Sequence, residues 1–175
     1  MTVIVTNCVL STEVAIAGGG LAGIVAALEL LDAGKKVVLV DRDVEENLGG
    51  LAKESFGGVH LIGTRQQKRL KIADNAQLAY DDWRRRAKYG PADHWPREWA
   101  ECYCERSNEV IGRYLERHGV RFLPLVNWPE RGAEEPGNSV PRWHIAWGTG
   151  QEIIRCLLGA LDAHPRRTDL SILFQ

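Results

Sequence analysis

Val14-Ala15-Ile16-Ala17-Gly18-Gly19-Gly20-Leu21-Ala22-Gly23-Ile24 is a short apolar run that breaks on three glycines and passes straight into a second apolar stretch of different period. A run of apolar residues closed by glycine suits a strand buried on both faces of a parallel sheet. From Leu21 to Ala33 apolar residues crowd every face (Ile24, Ala27, Leu28, Leu31), and Gly34 stands where a left-handed cap would end a helix. Val37-Val38-Leu39-Val40 then repeats the buried-strand pattern. Strand, helix and strand joined by short loops imply a right-handed parallel crossover, the unit of an α/β, Rossmann-like sheet.

The glycines fall as Gly18-x-Gly20-x-x-Gly23 between the first strand and the first helix, where the helix's N-terminal amides would hold a dinucleotide pyrophosphate. Gly18 permits the tight turn, Gly20 removes the Cβ that would block the pyrophosphate, and Gly23 lets the helix pack closely on the strand. Asp41 ends the second strand 18 positions past Gly23, close to the roughly 20 expected of an acid that hydrogen-bonds a ribose hydroxyl. That acid would repel a 2′-phosphate, which argues against NADP; Arg42 beside it is the one residue in favour. NAD and FAD remain. The stretch Gly49-Gly50-Leu51-Ala52-Lys53-Glu54-Ser55-Phe56-Gly57-Gly58 offers further bare amides, which an NAD site does not need.

Farther along, Asp74 or Asn75 can cap a helix through Leu78, Trp83 and Ala87. Pro96 sits in the first turn of an expected long helix through Val110, Ile111, Tyr114 and Leu115, ended by Gly119. All six tryptophans fall between Trp83 and Trp147, so a compact helical insertion with its own apolar cluster is expected there. Val120 to Val126 reads as an edge strand or extended loop because of Pro124. After a Gly-, Pro- and acid-rich loop from Asn127 to Pro141, Gly148-Thr149-Gly150 opens a helix carrying Ile153, Ile154, Leu157, Leu158 and Leu161. Ser171-Ile172-Leu173-Phe174 is the third expected sheet strand. The organisation expected is one domain over 1–175: strand-helix-strand and glycine loop in 13–63, helical insertion in 64–147, last helix and third strand in 148–175.

Composition narrows the function classes. The 175 residues carry 22 Lys+Arg against 23 Asp+Glu, a formal net charge of -1, so nothing draws the chain to nucleic acid or an anionic membrane. Cys8, Cys102, Cys104 and Cys156 make neither a zinc spacing nor a dense disulfide framework, and no metal site is expected. The apolar stretch from Val14 to Leu28 is shorter than the roughly 20 residues of a membrane span. No basic residue precedes it as a secretory signal would require, so a cytoplasmic location is expected. Arg84-Arg85-Arg86 has Asp81 and Asp82 four residues before Arg85 and Arg86, which reads as a solvated, paired helix face. His144, between Trp143 and Trp147, is either a packed histidine or a group at a ligand's edge; His60 is the second such candidate.

Gly18 to Gly23, Asp41-Arg42 and the Gly-Gly-x-x-x-x-Ser-x-Gly-Gly loop resemble the N-terminal FAD-binding segment of the fumarate reductase and succinate dehydrogenase flavoprotein superfamily. Trp95-Pro96, Phe122-x-Pro124-Leu125-Val126-x-Trp128, Gly137-Asn138-Ser139-Val140-Pro141-Arg142 and Trp147-Gly148-Thr149-Gly150 are similar to its soluble branch, related to 3-ketosteroid dehydrogenases. The resemblance implies that the amides of Gly20, Leu21 and Ala22 hold the pyrophosphate and that Asp41 binds the adenosine ribose. Gly50, Leu51, Ala52, Ser55, Gly57 and Gly58 would line the flavin and its ribityl chain. Where membrane-bound relatives carry a histidine bonded to the flavin, this sequence has Leu51, so non-covalent FAD is expected.

Members of that family are about three times longer, and their substrate-binding residues lie largely beyond the region matched here, so the resemblance carries over no catalytic residue. It implies the N-terminal FAD-binding portion of an FAD-dependent dehydrogenase acting on CH-CH groups of an organic acid or ketosteroid-like small molecule. A sheet ordered third, second, first strand would leave an apolar edge on Val14 to Ala17, for which pairing with the rest of a longer protein is expected. The alternatives are a non-catalytic NAD- or FAD-binding module and an inactive fragment.

Overall fold

The computed structural model describes residues 11–125, 129 and 136–175. Cys8, Val126, Asn127 and Trp128, and the loop positions 130–135, lie outside the described residues. The elements in chain order are β1 (Val14–Ala17), α1 (Leu21–Asp32), β2 (Val37–Val40), β3 (Gly58–His60), α2 (Arg65–Arg69), α3 (Ala76–Ala87), α4 (His94–Arg106), α5 (Arg113–Arg117), β4 (Trp143–Ile145), α6 (Thr149–Asp162) and β5 (Leu170–Leu173). They fall into two compact units, Met1–Ala52 with Leu157–Gln175, and Lys53–Cys156.

The first unit holds a three-stranded parallel sheet in the order β1-β2-β5, the order expected. Val14 pairs with Val37 and Val37 with Leu170, and each register runs four residues. The third strand begins one residue earlier than its apolar run, at Leu170. β2 is the central strand, and Val37, Val38 and Leu39 are all buried, as a two-sided strand requires. α1 packs on β1 and β2 and buries Ile24, Ala27, Leu28 and Leu31. Each of the larger side chains contributes roughly 1.5–3 kcal/mol through burial.

In the second unit β3 and β4 form an antiparallel pair, Gly58 opposite Ile145 and His60 opposite Trp143. Strand structure at Gly58–His60 stands at the end of the stretch read from sequence only as a glycine loop; Val59 pairs with His144, 85 residues away and beyond any local signal. Asn75 caps α3 as expected, its Oδ1 accepting from the Leu78 amide at 2.9 Å. The single long helix expected from Pro96 instead starts at His94 and is interrupted by a π-turn over Ser107–Gly112 before α5. Leu61 Cδ1 lies 3.0 Å from where a Cβ on Gly112 would stand, so this wider turn is packed tightly against Leu61. Over Val120 to Leu125 the chain takes the extended-loop alternative, with an isolated bridge from Phe122 to Ala146.

Trp83 and Trp143 pack with His60 and Tyr103, but among the described residues Trp95 and Trp99 stay outside any apolar cluster. Trp95 and Trp99 are 66% and 71% exposed, on a helix whose buried positions are Ala100 and Cys104. Ile62, Ala79 and Cys104, with Ala76, Tyr80 and Tyr103 against them, form a core cluster instead. A second centre is ionic: Arg142, 1% exposed, donates to Asp74 at 2.9 Å and to Asp82 at 2.7 Å, which ties α3 to the chain entering β4. The arginine run pairs at i,i+3 rather than the i,i+4 expected, Asp81 with Arg84 and Asp82 with Arg85, because Asp82 points inward to Arg142 and Ser139.

Candidate functional site

The glycine loop of the first unit assigns a different contact to each residue. Gly18 has φ +100°, a conformation open to glycine, and its amide donates to the Val40 carbonyl at 2.8 Å. A Cβ on Gly23 would stand 1.9 Å from the Gly18 oxygen and 3.4 Å from Ile16 Cγ2, so this glycine lets α1 close down on the turn. Gly20 is the N-cap of α1, extended at φ -75°, with no side-chain cap. A Cβ there would find nothing within 4 Å. The first turn of α1 contains no acid, and Leu21 and Ala22 are both exposed. Uncapped helix amides behind open space, with the positive end of the helix dipole and no competing carboxylate, fit a diphosphate.

Asp41 stands beside this cradle. Its own amide donates to the Leu173 carbonyl at 2.8 Å, while its carboxylate accepts from the Asp43 amide at 2.9 Å and the Gly19 amide at 2.5 Å. Those two backbone donors, Asp43 first, hold its pKa below the ordinary carboxylate value, so it stays an acceptor at neutral pH. Gly19 is a residue that motif spacing passes over. A Cβ there would stand 2.5 Å from Leu48 Cδ1 and 2.9 Å from Asp41 Oδ2, so the bare Gly19 backbone is what lets the acid lie against the loop. The signal was present: the middle position of a triple glycine needs a reason of its own.

The first half of the second glycine loop closes on the same cradle. Gly49 donates to the Gly19 carbonyl at 2.8 Å and bridges Gly20, and a Cβ on Gly50 would lie 3.5 Å from Gly20 Cα. Gly18, Gly20, Gly23, Asp41 and Gly50 are therefore gathered in one place, with Leu21 and Ala22 on the first turn. Arg42 is exposed, Leu51 is 87% exposed and Ala52 is half-buried.

Ser55, Gly57 and Gly58 belong to the second unit, where packing against backbone accounts for Gly57 and packing against aromatic rings for Gly58. Gly57 has φ +75°, accepts from the Ala146 amide at 2.9 Å, and would drive a Cβ to 2.5 Å from the Thr149 carbonyl carbon. A Cβ on Gly58 would meet the Phe56 ring and come within 3.0 Å of Trp143. His144 is a packed residue: 1% exposed, it joins Thr64 Oγ1 at 2.9 Å and the Arg142 carbonyl at 2.8 Å, and burial lowers its pKa. His60 stacks among Trp83, Tyr103 and Trp143 at centroid distances of 5.7 to 6.3 Å. Among the described residues no group of three or more His, Cys, Asp or Glu side chains converges as a metal site.

The family described as FAD binding domain matches residues 13–174, and the match runs through both units. The chain belongs to the FAD-binding domain family. Its cofactor is FAD, and the Gly18–Gly23 loop, the open space at Gly20 and the ionised Asp41 fit the diphosphate and ribose of that molecule. A KsdD-like steroid dehydrogenase of Mycolicibacterium smegmatis is 44% identical over 146 residues, 81% of this chain and 27% of that protein. Another KsdD-like steroid dehydrogenase, of Mycobacterium tuberculosis, is 41% identical over 160 residues, 89% of this chain and 28% of that protein. The chain thus spans about a quarter of the length of these curated relatives. Among solved structures, a 3-ketosteroid-Δ4-(5α)-dehydrogenase from Rhodococcus jostii superposes with a TM-score of 0.72 at 22% identity over 93% of this chain and 37% of its own. The open form of a flavocytochrome c3 fumarate reductase does so with 0.69 at 25% identity, over 93% and 26%. No helix among the described residues of this FAD-binding domain is long and apolar enough to cross a membrane.

Proposed function

We propose that the chain is the FAD-binding portion of a longer FAD-dependent dehydrogenase that acts on CH-CH groups of a steroid-like small molecule. The observation that carries this reading is the open cradle at Gly20, set on an uncapped α1 next to an ionised Asp41. Its kinship with two KsdD-like steroid dehydrogenases supports the substrate class.

In this reading the amides of Gly20, Leu21 and Ala22 donate to the pyrophosphate, and Asp41 accepts from a hydroxyl of the adenosine ribose. Arg42, exposed beside Asp41, stands toward the adenosine end. Gly50, Leu51, Ala52, Ser55, Gly57 and Gly58 face the flavin and its ribityl chain. Leu51 has no nucleophilic atom, so the cofactor is held without a covalent bond. FAD, when bound, supplies the two-electron hydride chemistry of a dehydrogenase. The outer edge of β1, with Ala15 and Ala17 exposed, pairs with another segment of the longer protein.

The test is visible absorbance of the purified 175-residue chain before and after incubation with FAD and desalting. Retained flavin absorbance is expected. A chain folded by circular dichroism that retains none would overturn the reading.

A further inference from the structure

Thr149 opens α6 with φ +65°. Among the described residues the other non-glycine positions of positive φ are Lys71 and Lys88, both unbranched at Cβ. A β-branched residue is worse suited to the left-handed region than either, and it stays there only when its surroundings hold it.

The surroundings are the Ser55–Gly58 loop. The Gly150 amide donates to the Ser55 carbonyl at 2.9 Å, and the Ala146 amide donates to the Gly57 carbonyl at 2.9 Å. Gly57 is pressed onto the Thr149–Gly150 peptide itself: a Cβ on Gly57 would lie 2.5 Å from Thr149 C, 2.8 Å from Gly150 N and 2.9 Å from Thr149 Cα. Thr149's side chain adds a longer contact, Oγ1 accepting from the Gln151 amide at 3.4 Å. Returning Thr149 to a right-handed conformation would swing that one peptide. The swing takes away both the donor to Ser55 and the surface on which Gly57 rests.

We infer that Thr149 is a positioning residue that acts as a strained latch: its left-handed conformation is held by the closed Ser55–Gly58 loop and biases that loop toward opening. The latch rests on the flavin-facing role proposed above for the same loop, and it adds control of cofactor entry and release. Closed, the loop fixes the peptide that Thr149 resists; open, Thr149 relaxes. The residue's backbone preference therefore sets how often the loop opens.

Hydrogen exchange tests this on the 175-residue chain, read at the Gly150 amide and over Ser55–Gly58, for wild type, Thr149→Gly and Thr149→Ala. Glycine has no left-handed penalty, so Thr149→Gly is expected to slow exchange there about tenfold, beyond any change at the amides of β2. Alanine keeps the penalty and lacks Oγ1, so it is expected to stay within about threefold of wild type. Release of bound FAD is expected to slow about tenfold in Thr149→Gly with the flavin spectrum unchanged. Exchange in Thr149→Gly that is unaltered at Gly150, or slowed equally across the chain, overturns the latch, as does alanine behaving like glycine. Slowed local exchange in a chain that retains no FAD supports the latch and overturns the flavin reading.

Discussion

Gly20→Ala and Gly23→Ala replace two glycines of one motif, three residues apart, with opposite expected results. At Gly20 the backbone is extended at φ -75° and ψ -176°, open to alanine, and a Cβ meets nothing within 4 Å. Alanine reduces unfolded-chain freedom, worth about 0.4–1 kcal/mol, but it is a poorer N-cap than glycine by a similar amount. The melting temperature is therefore expected to stay within about 2 °C of wild type. The added methyl instead occupies the cradle. Loss of one or two amide bonds to a charged diphosphate, about 1.5–3 kcal/mol each, weakens FAD binding by ten- to hundredfold or more. At Gly23 the Cβ lies 1.9 Å from the Gly18 oxygen, so backbone must move. Overpacking of that kind costs about 1–3 kcal/mol, or roughly 2–12 °C in a chain of this size. Differential scanning fluorimetry and quenching of FAD fluorescence read the two quantities separately. Wild-type FAD affinity in Gly20→Ala, or a thermal loss there as large as in Gly23→Ala, would refute the assignment of the open space to ligand.

Removing the buried cation by Arg142→Met leaves Asp74 and Asp82 facing each other without their partner, and a loss of about 3–5 kcal/mol is expected in urea unfolding. Acid should act on the same cluster. Burial raises the pKa of Asp82, but hydrogen bonds from Ser139 and Arg142 outweigh it and bring the folded value below the ordinary 3.8. Its contribution is then fully present above 3.8 and drains as pH falls through the lower folded value, a slope that urea melts should show in wild type and that Asp82→Asn should flatten. Asp41→Asn, which halves the acceptor capacity beside the cradle, is expected to weaken FAD binding about tenfold with faster exchange of the Gly19 amide, measured by titration and NMR.

The three sheet strands were legible because each is a short apolar run flanked by glycine or charge; the two-sided burial expected of the first strand holds for β2 alone, since β1 and β5 alternate with exposed residues. The β3–β4 pair was not legible: three residues that include Gly58 and His60 carry no periodicity, and their partner is set by tertiary contact alone. The π-turn over Ser107–Gly112 was hidden in a continuous helical pattern, since one inserted residue shifts the face without changing composition. Tryptophan count misled because size favours burial only when a facing surface exists, and Trp95 and Trp99 lie at i,i+4 on the solvent side of α4. At the site, motif spacing picked out Gly20 and Asp41, while Gly19 acts through a contact that spacing does not encode.

The helix starts among the described residues argue for an anion position at α1. α2 begins with a capping box between Thr64 and Gln67, and α3 with Asn75 bonded to the Leu78 amide. α4 follows Asp93, which places a carboxylate at its positive end. α6 has Glu152 in its first turn and its Gly150 amide already bonded to Ser55. α1 has neither a side-chain cap nor an acid in its first turn, and a serine cap in place of this glycine would improve stability by only about a few tenths of a kcal/mol through capping. The same N-cap position is the glycine whose missing Cβ faces open space rather than a neighbouring atom. An uncapped helix end costs stability unless something else meets its amides. A serine at position 20 separates the two explanations: with the cap and the reduced freedom of the unfolded chain together worth about 1 kcal/mol, Gly20→Ser should raise the melting temperature by about 2–4 °C while lowering FAD affinity at least tenfold. A gain in stability without loss of FAD would mean that the bare end of α1 is not where the diphosphate sits.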